Sequence, residues 1–181
     1  MAKHGVLLER DELIGRLTEN RAGIATVDVD GGSLLVEGNI SGGNFGVREV
    51  SFPKSGAKRV AVAYNPSIKY DKVGKVVTSA LTLDDREYFN HKGEVLDYFF
   101  PVVGIKLGVH MANIEGSTAP VVGSNLQATD GKGTYSIVEE ASIVAGEPLF
   151  KVIDIISQLY PTGSLSDELE KVFIIETVVN G

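Results

Sequence analysis

The chain of 181 residues carries 24 acidic and 17 basic side chains, for a formal charge of −7, with 43% apolar residues and no cysteine. That size suits one domain, or one domain plus an arm, with apolar residues enough for a sizeable core. Disulfides, thiolate metal sites and thiol catalysis are excluded, an acidic balance without a basic stripe speaks against direct contact with nucleic acid, and no run approaches the ~20 apolar residues of a membrane span.

Residues 1–10 lack the long apolar core of a signal peptide, so a cytoplasmic place of synthesis is expected. In residues 1–22, Leu13, Ile14 and Leu17 share one helical face, and Asp11 and Glu12 suit a first turn. This predicts a short helical or extended arm that packs on its own domain or docks on a neighbouring subunit. Residues 24–29 and 33–37 read as two strands of a hairpin, turned at Asp30, Gly31 and Gly32. Gly38, Gly42, Gly43 and Gly46 then mark a mobile loop or linker in which Phe45 could anchor a partner. The expected division is an amino-terminal arm with a short β-hairpin over 1–46 and a β-barrel or β-sandwich body over 47–181.

Within the body, residues 59–64, 75–83, 105–111 and 172–179 are apolar or β-branched runs set between glycines. Val60, Val62 and Tyr64 alternate with Arg59, Ala61 and Ala63. Ile105, Leu107, Val109 and Met111 alternate with Lys106, Gly108 and His110, and Tyr135 and Ile137 repeat the pattern. A period of two predicts a sheet with one buried face. Residues 84–90 read as a short helical turn or loop. Residues 150–156 and 172–179 read as two long closing strands. The connection from Tyr160 to Lys171 starts at a Pro and Gly turn, with Ser164 or Ser166 as a helix cap and Asp167 opposite Lys171. It is read as a surface loop or a contact element at a barrel rim. No strict internal repeat is evident. The fold class expected is mainly β.

Candidate chemistry is sparse. His4 and His110 lack a carboxylate at ligand spacing, and His110 falls on the polar side of its strand. His91 stands among Asp84, Asp85, Glu87, Glu94 and Asp97, a set that could hold a hard cation or pair an acid with a base, but its context reads as a charged loop. Asp28, Asp30 and Gly31 resemble the start of a calcium loop, but Gly32 and Asn39 stand where ligands are required. Gly131, Lys132 and Gly133 fall short of a phosphate loop and read as a hairpin turn. No catalytic residue, cofactor or metal site is therefore expected. Tyr98, Tyr135 or Tyr160 would supply the exposed platform of a carbohydrate- or peptide-binding module.

Residues 3–17, 28–38, 91–96, 150–154 and 171–175 together resemble a loose family of tailed-phage head proteins. The resemblance implies a structural virion protein that decorates or cements the outside of a capsid, or forms the base of a head fibre. Its implied partner is the major capsid protein, and a homo-oligomer, with a trimer as the guess, is expected on the virion exterior. Such a subunit needs a stiff body and repeated weak contacts that sum through effective concentration. A jelly-roll-type binding module is the alternative, and a metal-dependent enzyme centred on His91 a third reading.

Overall fold

The computed structural model describes residues 3–8, 19–41, 46–66, 86, 88–160 and 168–181. The predicted helix in 10–19, the run 75–83, Phe45, and the turn with Ser164, Ser166 and Asp167 lie outside the described residues, wholly or for the most part. The fold is mainly β, with no α-helix among the described residues. The strands are β1 (Leu7–Leu8), β2 (Glu19–Ala25), β3 (Leu34–Ile40), β4 (Arg48–Ser51), β5 (Ala61–Ala63), β6 (Val95–Phe100), β7 (Lys106–His110), β8 (Asn125–Ala128), β9 (Tyr135–Val138), β10 (Leu149–Tyr160) and β11 (Glu168–Val179). They form a closed barrel in the order β2-β4-β3-β5-β6 and a six-stranded sheet in the order β1-β7-β11-β10-β8-β9.

The expected hairpin of residues 24–29 and 33–37 does not form. β4 lies between β2 and β3, parallel to the first and antiparallel to the second. Leaving β2, the Thr26 N–H and hydroxyl both donate to the Val50 carbonyl, at 3.0 and 2.9 Å. Val29 then exchanges two 2.8 Å backbone bonds with Asn90. These contacts carry the chain across the barrel instead of back along β2. Strands from both sides of residue 46 thus share one barrel.

The period of two is real, but both faces are buried. In β5 and the residue before it, Val60 and Val62 join one core while Ala61 and Ala63 join another. Leu34 and Leu35 divide in the same way, as do Phe99 and its neighbours Tyr98 and Phe100. One core fills the barrel, where alanine suits the narrow interior of five strands. The other lies between barrel and sheet and takes Leu107, Val109, Phe150, Val152, Phe173 and Ile175 from the sheet. Polar-out alternation therefore fails where a barrel wall is also a packing face.

The six-stranded sheet has an internal two-fold. Its axis passes through the facing pair Lys151 and Glu176: the pairs Phe150–Thr177 and Leu149–Val179 on one side have Val152–Ile175 and Asp154–Ile174 as counterparts on the other, beyond which the ribbon runs on without a counterpart. Val152 faces Ile175 as Phe150 faces Thr177. β7 runs beside β11 with Lys106 at Glu176 and Leu107 at Ile175. β8 runs beside β10 with Asn125 at Lys151 and Leu126 at Phe150. Outside them, Leu7 meets Val109 as Tyr135 meets Ala128. Even the two register shifts correspond, at Ile153 and Val178. A four-residue repeat, too short to stand out as a sequence repeat, marks the relation: Pro-Val-Val-Gly occurs at 101–104 and again at 120–123.

Each copy makes the same turn. The Ile105 N–H donates to the Val102 carbonyl (3.1 Å) and the Ser124 N–H to the Val121 carbonyl (2.9 Å). Gly104 and Gly123 hold φ of 87° and 95°, the left-handed value demanded at the third residue of such a turn. The Gly104 N–H donates to the Thr177 carbonyl, and the Ile105 carbonyl accepts the Thr177 N–H. The Gly123 N–H donates to the Val152 carbonyl, and the Ser124 carbonyl accepts the Val152 N–H.

Candidate attachment surface

Residues that the sequence nominated for chemistry serve structure. His110 is buried, not on a polar face. Its Nδ1 accepts the Ala112 N–H at 3.3 Å, which leaves the proton on Nε2 to donate to Glu170. Glu170 lies two residues from Val172, the position facing His110, so the contact is a diagonal cross-strand pair. The same carboxylate takes Lys3 Nζ at 2.6 Å and the guanidinium of the buried Arg86. Burial pushes the Glu170 carboxyl up, but Lys3, His110 and Arg86 together outweigh it and hold the group below its usual range. No sequence signal could have assembled this cluster, since its members come from four distant segments.

The amino-terminal segment is fastened at the same end. His4 Nδ1 lies 2.8 Å from Asp30 Oδ1, and the Gly5 N–H donates to Asp30 Oδ2 at 2.9 Å. Asp28 accepts the Lys92 N–H at 2.9 Å. Both carboxylates of the supposed calcium loop therefore hold distant backbone. His91 and His4 each pack on Phe89, with ring centroids 4.3 and 4.6 Å apart. Asp84, Asp85 and Glu87 lie outside the described residues, and among those described no three His, Asp or Glu side chains are grouped to hold a metal. Gly131 to Gly133 belong to the turn joining β8 and β9, closed by the Thr129 N–H on the Thr134 carbonyl at 3.0 Å.

Two of the three tyrosines named for an exposed platform are not on the surface. Tyr98 and Tyr135 are buried, and burial pushes both phenols far above their ordinary range. Tyr98 points across the barrel and donates to Glu37 Oε1 at 2.7 Å. The Tyr160 side chain is outside the described residues.

Apolar groups are exposed instead at the ribbon and the turns. β10 and β11 pair along their whole length, whereas β8 accompanies β10 only to Lys151 and β7 accompanies β11 only from Val172. On the rungs beyond, Leu159 faces Leu169, with 52% and 65% of their surfaces exposed. Residues 168–171, read from sequence as loop, are strand, and Lys171 faces Ser157, not a helical partner. The ribbon form wins because Val172, Phe173, Ile174 and Ile175 are already fixed by pairs on both sides. The two Pro-Val-Val-Gly turns also expose their valines, Val103 at 67% and Val122 at 59%.

These features define a β-barrel protein with an appended antiparallel sheet. No family matches the chain, and no curated protein matches it. Among solved structures it is similar to the N base of the head fibre gp8.5 of bacteriophage phi29. That similarity has a TM-score of 0.44 and 14% identity, covering 91% of this chain and 97% of the other.

Proposed function

We propose that this chain is a non-enzymatic structural protein of a tailed-phage particle, bound to the outside of the head with the major capsid protein as its partner. The observation that carries the reading is the exposed Leu159–Leu169 pair on a ribbon that runs past its flanking strands. Apolar side chains facing each other on such an extension are suited to burial against a partner. The resemblance of the sequence to head proteins supplies the kind of partner. The formal charge of −7 suits an outer surface and disfavours stray contact with DNA.

The test is co-sedimentation of the purified chain with heads of the phage that encodes it. The wild type should pellet with intact, DNA-filled heads, and the double substitution Leu159→Ser with Leu169→Ser should remain in the supernatant while keeping its melting temperature. Failure of the wild type to bind, or binding only to opened heads, would overturn the reading. Self-association is part of the proposal, with a trimer expected, and sedimentation equilibrium of the free chain measures it.

A further inference from the structure

We propose that the two Pro-Val-Val-Gly turns are equivalent contacts for two copies of one partner subunit, related to each other by a local two-fold axis. The inference rests on the head-attachment reading, in which that partner is the capsid protein, but it stands on a separate observation. The internal two-fold of the six-stranded sheet is perpendicular to the sheet at the Lys151–Glu176 pair. It carries the turn at Val102 and Val103 onto the turn at Val121 and Val122, with the same closing bond, the same glycine conformation and the same pair of bonds to the neighbouring ribbon strand.

Two features say that the valines face outward for a reason the fold does not supply. The second residue of such a turn favours proline, whose φ is already set. Val103 and Val122 hold that position in both turns, β-branched, apolar and more than half exposed. The prolines are buried, so Pro101 and Pro120 are accounted for by packing, whereas the exposed valines are not. Among single exposed valines none needs explaining. The same two, at matching places in a symmetric frame, present one chemical surface twice. A single asymmetric partner could use only one copy of that surface in a given way. Two identical subunits facing each other across a two-fold can each take one turn, and linking two weak contacts in one rigid body raises the effective concentration of the second.

The experiment is quantitative binding of the chain to encoding-phage heads, with Val103→Thr, Val122→Thr and the double variant beside the wild type. Threonine keeps the shape of valine and the exposure of both sites, and a melting curve checks that each variant is folded. Each single change should weaken binding by a similar factor, on the order of tenfold for loss of a buried valine contact, and the double by more than either. Electron cryomicroscopy of decorated heads should place each chain against two capsid subunits, one turn on each. The proposal is overturned if only one turn matters, if neither does while the wild type binds, or if the variants lose self-association in the absence of heads. Wild type that fails to bind heads overturns the attachment reading itself, and is distinguished by needing no variant.

Discussion

The barrel and the six-stranded sheet solve the same problem in different ways. Any strand at the end of a sheet offers unpaired N–H and C=O groups to other chains. The barrel removes its ends by closure, with β6 returning to β2 through six facing pairs from Glu19–Phe100 to Ile24–Val95. The sheet stays open and covers its ends. At β1, the Leu7 N–H donates to Asn65 Oδ1 at 2.9 Å and Asn65 Nδ2 donates to the Leu7 carbonyl at 2.7 Å, so one amide side chain imitates a strand. At the two-fold-related β9, the Glu115 N–H donates to the Tyr135 carbonyl at 2.8 Å, and Ile114 forms a parallel bridge. Closure covers every barrel strand with its neighbours' backbone, whereas the open sheet covers one edge with a side chain and the other with a passing backbone segment.

The largest effect should come from the seam between the two regions. Phe99 belongs to β6 yet packs in the core shared with the sheet. Phe99→Ala should cost about 3–5 kcal/mol of stability, as a large buried aromatic does. A single denaturant transition seen by both regions would show that they unfold together, and two transitions would break the comparison into separate bodies. Next in size is Asn65→Ala, which removes two hydrogen bonds worth about 1 kcal/mol each. Hydrogen exchange should quicken at Leu7 while β9, covered by backbone, stays protected. Equal loosening of β9 would show that the edge caps are not independent.

Glu170→Gln should act more narrowly, on pH dependence. The carboxyl is held below its unfolded range, so its stabilisation is present above that range, ~4.3 for a free glutamate, and is lost as pH falls through the lower folded value. The variant should be less stable at neutral pH and show a flatter acid limb, read from urea midpoints between neutral and acidic buffers. An unchanged acid limb would mean that Lys3, Arg86 and His110 do not act through this group. The smallest effect is a gain. The Thr177 hydroxyl is buried without a hydrogen-bond partner, and Val152 occupies the equivalent place across the two-fold. Thr177→Val should add about 1 kcal/mol by removing an unsatisfied polar atom. A loss of stability would show that the two halves of the sheet are not packed alike.

Much of the fold was legible. Alternation in residues 59–64 and 105–111 located β5 and β7, and the apolar runs near 150–156 and 172–179 located the ribbon strands, although both proved longer. Alternation misled about exposure, because Ala61 and Ala63 fill the barrel where an outward face was expected. It likewise placed His110 on a polar side that β11 and Glu170 cover. Tyr98 and Tyr135 were misplaced on the surface for the same reason, since an amphipathic ring reads alike in a core and on a surface. The paired turns could have been found by searching for short repeats beside glycine, but four residues carry no register, and only their matching bonds to Thr177 and Val152 show the symmetry.

What the residues determined by themselves is local: β-branched runs favour extended backbone, glycines permit the turns at Gly104 and Gly123, and the lack of cysteine removes thiol chemistry. The tertiary structure alone decided which strands are neighbours, that β4 separates β2 from β3, and that Lys3, Arg86 and His110 converge on Glu170. The reason is physical. Backbone preference acts over a few residues, whereas pairing and burial are settled by contacts between segments far apart in the chain, and many pairings satisfy the same local pattern until packing selects one.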